Sequence, residues 1–95
     1  MDPDSPPVRI PITGELDLHA FRPDEVPSLV AEYLREARRR GLTEVRIIHG
    51  KGTGTLRETV RAQLRRSPDV ESFRQGDATT GGWGATLVRL RAGST

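Results

Sequence analysis

Ninety-five residues, 34% hydrophobic and 29% charged with a formal charge of +2, suit one domain with a single modest core. The chain has no cysteine, no bilayer-length apolar run and no basic-then-apolar opening. These features exclude disulfides and thiolate metal sites, and set the expectation of a cytoplasmic protein with no membrane partner. In chain order, residues 1–13 hold four of the seven prolines and read as a flexible arm, though Val8, Ile10 and Ile12 alternate as along a sheet edge. ELDLH then alternates, with Leu16 and Leu18 on one strand face and Asp17 and His19 on the other. RPDEV is a helix entry: Pro23 suits a first turn, and Asp24 and Glu25 favour its positive end. Pro27 removes a backbone donor, so an irregular start is expected. Val26, Leu29, Val30, Tyr33, Leu34 and Ala37 follow at helical spacing, and Gly41 is the terminator.

EVRIIH is the next strand. Beyond a glycine loop, Thr55 and Glu58 have capping-box spacing, and Leu56, Val60 and Leu64 form a second helical stripe ended by Ser67-Pro68. VESFR and ATLVRLR read as two last strands. The order βαβαββ predicts an α/β two-layer sandwich. A four-stranded mixed sheet would carry both helices on one face and leave the other partly open. The domain is expected over residues 14–92, with 93–95 as a tail.

Chemistry gathers at two strand ends. His19 and His49 are the only histidines, and each precedes a connection into a helix. Parallel neighbouring strands would bring both to one carboxyl edge, where α/β proteins place ligands. Counting along EVRIIH groups His49 with Val45 and Ile47, so twist or an early strand end must turn it outward. Two near-neutral imidazoles can act as base and acid in phosphodiester cleavage, and Asp17 can fix the tautomer of His19. The plainer alternative for Asp17 and His19 is a polar pair on the open face. A metal set of Asp17, His19 and His49 lacks an obvious fourth ligand, so neither metal nor cofactor is expected.

HGKGTGT adds Gly50, Gly52 and Gly54, whose loop can present backbone amides to an anion beside the positive helix end near Thr55, with the charge of Lys51. A Walker A motif needs Ser or Thr directly after the lysine, and a dinucleotide fingerprint needs glycine where Thr55 stands; both fail. Residues 35–66 carry ten basic and three acidic side chains, against two and seven in residues 1–34. Arg57, Arg61 and Arg65 recur every fourth residue, and Arg38, Arg39 and Arg40 close the first helix. Such rows can follow a nucleic-acid backbone, or can simply solvate helix faces. Trp83 in GGWG suits stacking on an unpaired base, or capping the sheet edge.

LDLHAF, VRIIHGKGTGTLRETV and GGWGATLVRL, in this order, resemble the small MutS-related (Smr) domain from about Glu15 to Arg91. Ala20 stands where the family usually has glycine after the first histidine. The resemblance implies a fold similar to the C-terminal domain of translation initiation factor three, and a nuclease that nicks DNA or cleaves RNA. Some members act on messenger RNA at stalled ribosomes, and some only bind. It points to Asp17 and His19, and to His49, Gly50, Lys51, Gly52 and Gly54. The reading is therefore an endonuclease with a histidine pair for proton transfer, a glycine loop and Lys51 on the scissile phosphate, and Arg57, Arg61, Arg65 and Trp83 on the nucleic acid. The alternative is a binding module for nucleic acid or the ribosome without catalysis; the oligomeric state is open.

Overall fold

A computed structural model describes residues 12–50, 54–76 and 84–92. Nearly all of the expected arm, the 93–95 tail, Lys51, Gly52 and Trp83 lie outside the described residues. Strand β1 (Glu15–Asp17) is shorter than the alternation suggests. The Asp17 carboxylate accepts the His19 amide at 2.9 Å, and Leu18–Ala20 wind into a 3₁₀ turn. This local bond competes with the strand ladder, so His19 stands just past the strand. A second 3₁₀ turn, Pro23–Glu25, leads into helix α1 (Val26–Arg39), which carries Pro27 in its first turn. That break is the irregularity expected of Pro27.

Helix α1 ends through its glycine. Gly41 has φ 83°, its amide donates to the Arg38 carbonyl, and the Leu42 amide donates to that of Ala37, both at 3.0 Å. These two bonds make a Schellman closure, which needs a left-handed residue at that point. Strand β2 (Glu44–Ile48), helix α2 (Thr55–Arg66) and strands β3 (Val70–Gln75) and β4 (Ala85–Leu90) complete the order.

The sheet runs β1-β2-β4-β3, with β1 and β2 parallel and the other pairs antiparallel. Both helices pack on one face and touch each other. Leu16, Val45, Ile47, Val88 and Leu90 from the sheet meet Val30, Leu34, Val60 and Leu64 from the helices in one core. At about 25 cal/mol per Å² of buried apolar surface, this layer is the main source of stability. No helix among the described residues is long and apolar enough to cross a membrane.

One local expectation is corrected. The Thr55–Glu58 capping box does not form, because Gly54, at φ 89°, is the N-cap and Thr55 is already helical. Glycine takes that left-handed backbone without a Cβ penalty, so the loop turns directly into the helix, and the Gly54 carbonyl accepts the Glu58 amide at 3.0 Å. The arginine row closing α1 is also internally paired. Arg38 reaches Asp69 at 3.0 Å, and Arg39 and Arg40 reach Glu36 at 3.2 and 3.4 Å. The first pair is half-buried and ties α1 to the start of β3; the others are exposed and contribute little stability.

Candidate active site

Parallel pairing sets Asp17 opposite Ile48, so the chain leaves β1 and β2 at the same edge. His19 and His49 follow those strand ends. Their environments differ sharply.

His19 is exposed, and its Nδ1 lies 2.7 Å from Asp17 Oδ1. A carboxylate only accepts, so Nδ1–H donates and Nε2 is the bare nitrogen of the neutral ring. The His19 amide and then its ring hold the Asp17 carboxyl below its ordinary 3.8. Nε2 stands against Gly50: a Cβ on that glycine would fall 3.0 Å from it. Gly50 has φ 85°, so a side chain there would meet both backbone strain and the imidazole.

His49 does not turn outward. Only 5% of it is exposed, because its backbone prolongs the strand by donating to the Gly84 carbonyl at 2.8 Å and so keeps the parity of Val45 and Ile47. Its Nδ1 lies 3.0 Å from the Gly50 carbonyl and its Nε2 lies 2.9 Å from Thr86 Oγ1. A carbonyl only accepts, so Nδ1–H donates to Gly50, while the Thr86 hydroxyl donates to Nε2. In the neutral ring both nitrogens are engaged by the protein. The two imidazoles thus flank one glycine, but only His19 offers a free nitrogen.

Burial pushes the His49 pKa below its ordinary 6.5; the Gly50 carbonyl opposes that shift, and the positive charges of Arg57 and Arg61 add to it. A depressed folded value means that the unfolded chain binds the proton more tightly. The stabilisation from a neutral His49 is therefore full above 6.5 and lost as pH falls below it through the folded value. Urea melts at about pH 7.5 and about pH 5.5 should show the loss, and His49→Gln should flatten that part of the profile. An equal acid slope in His49→Gln would assign it to other groups.

His49, Gly50, Gly54, Thr55 and Arg57 line a groove of 240 Å³ that also touches Pro23. The first turn of α2 opens onto it, bringing the positive helix end. Arg57 Nη2 lies 3.5 Å from where a Gly54 Cβ would be. One turn on, Arg61 shares its face. Among the described residues the buried Nε atoms of both arginines have no hydrogen-bond partner, and Glu58 Oε1 is 4.0 Å from that of Arg57, beyond hydrogen-bond reach. Arg65 is exposed in the last turn.

The geometry brings together Asp17, His19, His49, Gly50, Gly54, Thr55 and Arg57. Among the described residues no three His, Cys, Asp or Glu side chains gather as a metal site. Thr86 escaped sequence reasoning. Its signal was there: in ATLVRL it shares parity with Val88 and Leu90, a lone polar residue in an inward stripe.

Residues 16–91 match the Smr domain. Endonuclease MutS2 of Halalkalibacterium halodurans is 49% identical over 80 residues, 84% of this chain and 10% of that protein. Endonuclease MutS2 of Thermus thermophilus is 46% identical over 77 residues, 81% of this chain and again 10% of the relative. The chain therefore spans about a tenth of the length of these relatives. The crystal structure of the Smr domain of Thermus thermophilus MutS2 aligns with TM-score 0.77 and 44% identity, covering 83% of this chain and 99% of that one. YdaL, a stand-alone small MutS-related protein from Escherichia coli, aligns at 0.71 with 31% identity over 85% of this chain and 66% of its own. With the motifs, the sheet order and these relatives in agreement, the chain belongs to the Smr domain family.

Proposed function

We propose that this domain is an endonuclease acting on RNA or DNA, with His19 as its proton-transfer group. The observation that carries the reading is the His19 arrangement: Nδ1 held by Asp17 at 2.7 Å, and Nε2 directed to the glycine at the groove edge. The names of the MutS2 relatives, endonucleases, point the same way. In the proposed step Nε2 takes the proton of an attacking hydroxyl as that oxygen bonds to phosphorus. The bond from phosphorus to the leaving oxygen then breaks, and solvent protonates that oxygen. The positive end of α2, the loop after Gly50 and the charges of Arg57 and Lys51 would hold the phosphate. On RNA, attack by the ribose 2′-hydroxyl leaves a 2′,3′-cyclic phosphate.

A two-histidine mechanism does not fit this arrangement, because both nitrogens of His49 are bonded within the protein. That same observation favours a second reading, a module that binds nucleic acid without cutting it. Comparing the affinity and the cleavage rate of His19→Ala separates the two. Cleavage should disappear while affinity stays.

The arginine rows give an independent expectation for either reading. Arg57→Glu with Arg61→Glu should weaken nucleic-acid binding by more than about tenfold and flatten its salt dependence. Arg39→Glu with Arg40→Glu should change affinity by less than about threefold, since Glu36 already pairs both. Filter binding at several salt concentrations reads both. Equal losses would remove the distinction between the rows.

A further inference from the structure

Among the described residues, Tyr33 apart, two side chains with polar atoms are buried, His49 and Thr86, and they bond each other. Thr86 is 0% exposed, sits opposite Ile47 in the sheet and shares the inward face with Val88 and Leu90. A valine would complete that stripe, so a hydroxyl at the position needs a physical reason. The reason lies one bond away. Thr86 Oγ1 reaches His49 Nε2 at 2.9 Å, and His49 Nδ1 reaches the Gly50 carbonyl at 3.0 Å. The Gly50 amide is fixed by the Gly84 carbonyl at 2.9 Å, and the Gly50 Cα faces His19 Nε2.

We propose that Thr86 is a positioning residue. Its hydroxyl keeps the His49 ring proton on Nδ1, that proton anchors the Gly50 carbonyl, and the anchored glycine forms the wall beside His19 Nε2. The hydrogen bond on one ring nitrogen decides the proton's place on the other, and outer partners of this kind set the orientation of the groups that react. Without the hydroxyl, Nε2 is a buried acceptor with no donor. The ring, then held by the Gly50 carbonyl alone, gains by turning to find a donor or a water for Nε2, and a turned ring loosens the Nδ1–H bond that anchors Gly50. The activity part rests on the nucleolytic reading; the tautomer part does not.

The test uses the full chain, Thr86→Val, which keeps the shape and removes the donor, and Thr86→Ser, which restores it. Nitrogen NMR of the His49 ring reports which nitrogen carries the proton, and cleavage of labelled RNA and supercoiled DNA reports function. The wild type should show a protonated Nδ1 and a bare Nε2. Thr86→Val should disturb that pattern, lower kcat by about tenfold or more and leave KM within about twofold, and Ser should recover both. A merely structural bond would lower stability without moving the ring proton or splitting kcat from KM. Wild-type protein with the proton on Nε2 overturns the proposal, as does a Val variant with an unchanged ring pattern or unchanged kcat. If no protein cleaves but the ring proton moves, the nucleolytic reading falls and the tautomer link stands. Should Val not fold, Thr86→Cys, similar in size and a weak donor, carries the same measurements.

Discussion

Gly50→Ala is expected to lower cleavage by more than about a hundredfold while costing about 1–3 kcal/mol of stability. Two separate effects meet at this residue. Its φ of 85° strains any side chain, and the new Cβ would lie 3.0 Å from His19 Nε2. The second effect reaches function directly, because it displaces the one imidazole nitrogen not bonded within the protein. Gly41→Ala is the control: φ is 83°, but nothing lies within 4 Å of its Cβ, so stability should fall and activity persist. Gly54→Ala, at φ 89° with Arg57 Nη2 3.5 Å away, should fall between them. Denaturant melts and single-turnover cleavage on all three test the order. If Gly41→Ala loses as much activity as Gly50→Ala, general destabilisation is the cause and crowding of His19 is not.

The two histidines should respond differently to removal. His19 is exposed and bonded only to Asp17, so His19→Ala should change stability by less than about 0.5 kcal/mol. Its cleavage rate should drop by about a hundredfold or more, the usual contribution of a general base. His49→Ala removes one buried and one partly buried hydrogen bond and strands Thr86 and the Gly50 carbonyl, and should cost about 2–4 kcal/mol. Its activity should also fall, through a loosened Gly50. Urea melts paired with cleavage rates distinguish the two. A stable, inactive His49→Ala would return proton transfer to that ring; a fully active His19→Ala would take it from His19.

Much of this layout is legible in the sequence, for local reasons. Leu16, Val45, Ile47 and the α1 stripe announce strands and a helix through period alone, and Gly41 marks its stop at the φ of 83° that the structure records. Glu36 stands three and four residues before Arg39 and Arg40, so their neutralisation was readable from spacing. Long-range partners were not. Arg38 meets Asp69 across 31 residues, and His49 meets Thr86 across 37. The Thr86 contact also explains why the parity of Val45 and Ile47 was the better guide to His49: a buried imidazole is tolerated where a hydroxyl and a carbonyl meet its two nitrogens. At the start of α2, Thr55 and Glu58 formed a valid local signal, but Gly54 reached the cap first by taking a backbone closed to other residues.

Cleavage by the folded protein tests the central claim most directly. Labelled RNA and supercoiled plasmid, each with and without a chelator, are incubated with wild type and His19→Ala, and both proteins are first shown to be folded by circular dichroism. The expected result is cleavage of at least one substrate by wild type, undiminished by the chelator and absent in His19→Ala, with 2′,3′-cyclic phosphate ends if the substrate is RNA. Both substrates left intact by folded wild type, or equal cutting by His19→Ala, would contradict it.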